Sequence, residues 1–132
     1  MSYISRQFLV FGLVGSAGFV VDAGTLQFLV INENINPYLG RLFSYLIAAT
    51  MTWTLNRKFT FPAQPGVAAH HQWLRYLLAN SIGALLNYGV YSVLIFSSGF
   101  IYHHLYFGVL AGAVIGLLFN FNLSRRWVFR SM

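Results

Sequence analysis

Cysteine is absent, and only two carboxylates, Asp22 and Glu33, occur among 132 residues. The first absence excludes disulfides, thiolate metal sites and cysteine nucleophiles, while leaving the compartment open. The second excludes a pair of catalytic carboxylates. No nucleophile–base–orienter set replaces them, so catalysis by this chain alone is not expected. Charge is scarce altogether, at 8% of residues, against roughly 25% in a soluble domain. Such a chain has almost nothing with which to cover a surface in water. Histidine occurs as two adjacent pairs, His70-His71 and His103-His104, with no carboxylate near either in sequence. Neighbouring histidines point differently on a helix, so no metal and no cofactor is expected.

What is present is apolar. Hydrophobic residues make up 58% of the chain, in four runs: Phe8 to Ile31, Leu39 to Leu55, Leu74 to Phe96 and Leu105 to Leu123. A bilayer crossing takes about 20 helical residues at about 1.5 Å each. One such run fits a soluble core, whereas four leave no polar residues for an outer layer. The expected fold is an all-α integral membrane protein with four transmembrane helices. The first run is longer than the usual apolar core of a cleavable signal, about 7–15 residues, and it carries Asp22, so it reads as a retained span.

A net charge of +6 would suggest nucleic acid in a soluble protein, but here the cations sit at helix ends, and no nucleic-acid partner is expected. Arg6 precedes the first span, Arg57, Lys58 and Arg75 flank the middle loop, and Arg125, Arg126 and Arg130 follow the last. Only Arg41 falls on the other side. Seven cations against one place both termini and the middle loop in the cytoplasm by the positive-inside rule.

The chain also repeats itself. Ser124-Arg125-Arg126-Trp127-Val128-Phe129 is an edited copy of Asn56-Arg57-Lys58-Phe59-Thr60-Phe61. Ser16, Gly18, Asp22 and Gly24 match Ser81, Gly83, Asn87 and Gly89 at an offset of 65, which also pairs Gln7 with Gln72. At an offset of 68, Tyr38 and Gly40 match Tyr106 and Gly108, and Arg57 and Phe61 match Arg125 and Phe129. This predicts a single membrane domain over residues 1–132, built as a tandem repeat of two helical hairpins. Repeat 1 covers about 7–61, a proline-broken linker 62–71, and repeat 2 about 72–130. Two spans per copy give both copies one orientation, related by a pseudo-twofold along the membrane normal.

In lipid, helices meet through small residues and interhelical hydrogen bonds. Gly108, Gly112 and Gly116 stand at every fourth position, matched by Gly40, Ser44 and Ala48, and are read as packing stripes within the chain or between protomers. Asp22 lies about nine residues, or roughly 14 Å, from the outer end of its helix. A carboxylate at that depth costs about 2.5–3.5 kcal/mol and faces protein or a hydrated cavity. It reads either as a functional polar waypoint with Asn87 or as a hydrogen-bonded strut between spans one and three.

Arg57, Lys58, Arg125 and Arg126 occupy the level of a lipid phosphate, where arginine forks and a lysine ammonium bind phosphate oxygens. Phe59, Phe61, Trp127 and Phe129 are expected to add aromatic surface beside them, and Asn56, Asn120 and Asn122 to supply amides for hydroxyl groups. The simpler alternative is that the cations set topology and the aromatics anchor the helices at the interface.

These segments resemble the GtrA-like family, small four-span membrane proteins of cell-surface polysaccharide synthesis. The resemblance rests on Phe11-Gly-Leu-Val-Gly15 with Asp22, Asn56-Arg-Lys-Phe-Thr-Phe61, Arg75-Tyr-Leu-Leu, and Asn120-Phe-Asn-Leu-Ser-Arg-Arg-Trp-Val-Phe129, and runs from about Gln7 to Arg130. It implies a multi-pass protein of the bacterial plasma membrane, in contact with membrane lipid. It further implies movement of undecaprenyl-phosphate-linked monosaccharide, a polyprenyl-phosphate-linked sugar, from the cytoplasmic to the outer leaflet, with a membrane glycosyltransferase as partner. A non-transporting subunit that stabilises such a glycosyltransferase is the alternative. Four short helices enclose little volume, which leaves room for a homodimer.

Overall fold

The computed structural model describes residues 2–61 and 68–129, without the side chains of Tyr102, Leu105, Tyr106 and Val109. All regular structure among them is helical. Helix α1 covers Tyr3–Gln27 and runs on through a π-turn, Phe28–Asn32. Helix α2 covers Pro37–Leu55 and ends in the π-turn Asn56–Thr60. Helix α3 covers Ala69–Ser97, α4 is the short Gly99–His103, and α5 covers Leu105–Leu123 before a third π-turn, Ser124–Val128. The expected linker is shorter than the sequence suggests, because Ala69, His70 and His71 already belong to α3. The rest of it, Pro62 to Val67, and Arg130 lie outside the described residues.

The helix starts follow local chemistry. Ser2 caps α1, its hydroxyl accepting the Ser5 N–H at 3.1 Å, so the helix begins before the expected entry at Gln7. Asn36 caps α2 by accepting the Tyr38 N–H at 2.8 Å, with Pro37 at the first helical position, where its missing donor is harmless. Asn34 adopts a φ of 53° in the α1–α2 connection, a conformation asparagine tolerates better than most residues. Ser98 caps α4.

Two of the helical segments, Tyr3–Asn32 and Ala69–Ser97, are long and apolar enough to cross a membrane, with mean hydropathies of 1.7 and 1.3. Helices α2 and α5 are 19 residues each, or about 28 Å at about 1.5 Å per residue. The distribution of polarity is that of a protein in lipid rather than water. Phe19, Leu85 and Phe96 are 74%, 72% and 96% exposed, while Ser44, Asn56, Gln72 and Ser124 are almost completely buried. Water would reverse that arrangement.

The chain divides into two compact units, one through Trp73 and one from Leu74 to Arg130. In the first, α1 and α2 pack as an antiparallel pair. Gly18 backs onto Thr52, and Gly40 onto Leu26 and Val30. Phe11 closes the other end edge-to-face on Phe61, 6.1 Å between ring centroids. The first turn of α3 joins this unit through Trp73, whose indole N–H donates to Thr50 Oγ1 at 3.0 Å.

In the second unit α3 meets α5. Gly83 backs onto Asn120, and Gly112 and Gly116 lie against Asn87. Tyr76 meets Phe129 edge-to-face at 5.9 Å.

Candidate functional site

Both basic segments sit on π-turns. A π-turn bonds each N–H to the carbonyl five residues back, which admits one extra residue and occurs often at functional sites. The Phe61 N–H reaches Asn56 O at 2.7 Å and the Phe129 N–H reaches Ser124 O at 2.9 Å. The wider turn directs its first and last side chains inward: Asn56 and Thr60 are buried, as are Ser124 and Val128. Thr60 Oγ1 donates to Asn56 Oδ1 at 2.8 Å. The Asn56 amide oxygen is therefore engaged inside the protein.

The residue after each turn is also turned in. Phe61 and Phe129 are 3% and 4% exposed. Sequence reasoning set them on the interfacial surface; instead they plug the hairpin ends against Phe11 and Tyr76. Phe59 remains exposed and Trp127 half-buried.

The cations have different fates. Arg57 is half-buried; its Nη1 donates to Gln72 Oε1 at 3.2 Å, and its guanidinium lies 5.6 Å from the Trp53 ring centroid. The same Gln72 oxygen accepts the Trp53 indole N–H at 3.1 Å. Lys58 is exposed, with its ammonium 5.3 Å from the Phe59 ring. Arg126 is exposed, and Arg125 is half-buried, with Nε buried and without a hydrogen-bond partner among the described residues. Lys58 and Arg126 are thus the accessible cations of the two turns.

The remaining amides lie deeper. Asn122 is exposed and spends its Nδ2 on Leu118 O at 2.8 Å. Asn120 is half-buried, and its Oδ1 is buried with no partner among the described residues. Beside the π-turn of the first unit, Tyr3, Arg6, Gln7, Val10, Phe59 and Thr60 line a small pocket of about 50 Å³. Gln7 is buried there, its Nε2 donating to Thr60 O at 3.2 Å while Oε1 finds no partner among the described residues.

Toward the α1–α2 connection, Asp22 Oδ2 accepts Arg41 Nη1 at 2.7 Å. The Asp22 side chain is 18% exposed and that of Arg41 is 60% exposed. In the second unit, the matched residue Asn87 lies against Gly112 and Gly116. Both small-residue stripes are buried. Gly40 meets α1, Ser44 returns its hydroxyl to Arg41 O at 3.1 Å, Ala48 is 7% exposed, and Gly108 approaches Tyr91 and Ile101.

Sequence reasoning missed three participants. Gln7 and Gln72 were noted only as a matched pair, and that match was the available signal. Arg41 was counted as a topology charge, although it is the only cation between Arg6 and Arg57 and so the one in reach of Asp22 in sequence.

A chain whose described regular structure is all helical, with large apolar side chains exposed, amides and hydroxyls buried, and cations at its helix ends, is a small membrane protein. A family model described as GtrA/DPMS, transmembrane domain, matches residues 10–131, and the chain belongs to that family. A search of curated proteins found no match. Membership ties the chain to membrane processes that involve polyprenyl-phosphate sugars.

Proposed function

We propose that this chain moves a polyprenyl-phosphate-linked monosaccharide, with undecaprenyl phosphate as carrier, from the cytoplasmic to the outer leaflet of a bacterial plasma membrane. It does so without catalysing a chemical step. Its four long helices form a tandem repeat of two hairpins with both termini in the cytoplasm, and matched positions keep matched company in the two units: Phe11–Phe61 with Tyr76–Phe129, Gly18–Thr52 with Gly83–Asn120, and one π-turn with the other.

The observation that carries this reading is the pairing, at each π-turn, of an exposed cation with hydrogen-bonding groups buried just inside. Lys58 shares its π-turn with the buried Asn56 and Thr60, and Thr60 O accepts from Gln7, whose own amide oxygen is unpartnered among the described residues; Arg126 shares its turn with Ser124, and Asn120 lies one helical turn further in. A cation captures the lipid phosphate at the surface. Buried acceptors left without donors cost about 1–3 kcal/mol each, and sugar hydroxyls supply donors. A glycosyltransferase on the cytoplasmic side makes the cargo, and the prenyl tail stays in lipid.

The test is reconstitution in vesicles, measuring how much lipid-linked sugar becomes protected from an external reagent. Transport is expected in the wild type and to fall strongly in Lys58→Ala with Arg126→Ala. Undiminished transport in that variant overturns the phosphate role.

A second reading is favoured by one observation. Arg57 is committed to Gln72 and Trp53, as a residue serving architecture would be. On that reading the chain is a non-transporting subunit whose apolar outer faces hold a polyprenyl-phosphate glycosyltransferase. Co-purification with an enzyme whose activity collapses without this chain, together with no flipping by the purified protein, would select it.

A further inference from the structure

The Asp22–Arg41 pair is unusual in direction. Gly18 backs onto Thr52 and Gly40 onto Leu26 and Val30, which sets Asp22 level with α2 near residues 46–48. Arg41 is rooted nearer the α1–α2 connection by about five to seven residues, roughly 8–10 Å along the helix. Arginines near helix ends normally extend toward the headgroups. This one extends toward the middle of its helix to reach a carboxylate.

The pair is also incomplete. Only Oδ2 of Asp22 is bonded to Arg41, and Oδ1 is buried with no partner among the described residues. A bidentate arrangement would satisfy both oxygens. One of the five guanidinium N–H donors is used in this bond, and Arg41 remains 60% exposed.

Arg41 also lines a groove of about 430 Å³ between the ends of α1 and α2. Leu26, Gln27, Val30 and Ile31 line it from the first helical segment and Pro37 and Tyr38 from α2; its walls are mostly apolar, and Arg41 is its one charged residue. That volume falls within the range of small-molecule sites, about 300–1,000 Å³. Apolar walls with a single cation complement a hydrocarbon chain that ends in one phosphate. A neutral lipid would gain nothing from the guanidinium.

We infer that this groove seats a polyprenyl phosphate on the outer side of the membrane, with Arg41 exchanging its bond to Asp22 for bonds to the lipid phosphate. The inference rests on the topology and cargo proposed above, and it names the receiving site that the basic π-turns lack. Asp22 then acts as a competitor that holds Arg41 in place while the groove is empty. The site therefore binds more tightly when the carboxylate is removed.

The experiment places a photoreactive residue at Tyr38 in the full chain in lipid nanodiscs and measures capture of farnesyl phosphate. Farnesol and phosphatidylglycerol serve as competing probes. Farnesyl phosphate is expected to be captured at least tenfold better than farnesol, with a tenfold loss in Arg41→Gln, retention in Arg41→Lys, and a gain in Asp22→Asn. Equal capture of farnesol, or no change in Arg41→Gln while Arg41→Lys remains folded, overturns the proposal. Capture of phosphatidylglycerol as good as that of farnesyl phosphate overturns the polyprenyl assignment in favour of a general anionic-lipid site. The two proposals fail separately: capture without flipping in vesicles removes the translocase and leaves the groove, whereas flipping without phosphate-dependent capture removes the groove alone.

Discussion

Arg57 is held by Gln72, whose amide oxygen accepts its guanidinium at 3.2 Å while also accepting the Trp53 indole at 3.1 Å. These bonds tie the first turn of α3 to the end of α2 within one unit. Gln72→Leu keeps the volume but leaves both donors without their acceptor. It is expected to lower stability by on the order of 2–3 kcal/mol, since hydrogen bonds to charged groups contribute about 1.5–3 kcal/mol. A double-mutant cycle with Arg57→Met, followed by thermal unfolding in detergent, should give a coupling of at least about 1 kcal/mol. Simple additivity would remove Arg57 from the architecture and return it to the lipid site.

The glycines separate into packed and open positions. A Cβ on Gly112 would stand 2.6 Å from the Asn87 carbonyl oxygen, a backbone atom that cannot swing away. Gly112→Ala is expected to destabilise by about 1–3 kcal/mol through overpacking. Gly15, three residues before Gly18 on α1, has open space around it, and Gly15→Ala should be neutral or slightly stabilising. Melting temperatures of the two variants in one detergent decide the point, and equal losses would contradict the observed α3–α5 contact.

Asp22 and Arg41 should respond unequally to mutation. With Arg41 60% exposed, Asp22→Ala leaves a guanidinium that water or headgroups can solvate. With Asp22 only 18% exposed, Arg41→Ala strands a carboxylate. Arg41→Ala is expected to cost more than Asp22→Ala by on the order of 1–3 kcal/mol, and the double variant should recover most of that difference. Stability of the three variants in nanodiscs is the measurement. A larger loss in Asp22→Ala would count against the pair as described.

The exposed cations of the π-turns carry a salt prediction. Lys58→Ala and Arg126→Ala should each reduce flipping in vesicles by about tenfold, equivalent to about 1.4 kcal/mol. Raising ionic strength toward 1 M should shrink the difference from wild type, because the screening length falls to about 3 Å. Arg57→Ala should show little such salt dependence, its guanidinium being bonded to Gln72. Equal salt sensitivity for all three would remove the distinction between accessible and committed cations.

The family resemblance and the helical class could be read from the chain because long apolar runs and repeated strings are side-chain patterns. The π-turns could not, since a shift from four- to five-residue bonding leaves no mark in residue type. That shift also explains the misplacement of Phe61 and Phe129. On an ordinary helix, aromatics beside paired cations belong at an interface, but the extra residue rotates them inward. The Arg41–Asp22 bond was hidden for a different reason. Counting charges by loop treats each cation as a topology marker and ignores how far an arginine reaches along its own helix.

That bond also bears on how the chain enters a membrane. On the proposed topology, inserting α1 alone would strand Asp22 near the bilayer centre at about 2.5–3.5 kcal/mol, whereas Arg41, near the start of α2, can reach the headgroups. Entering together, the two helices bring Asp22 and Arg41 into one neutral ion pair across a four-residue connection from Glu33 to Asn36. The first hairpin is thus suited to leave the insertion machinery as one unit rather than as two successive spans.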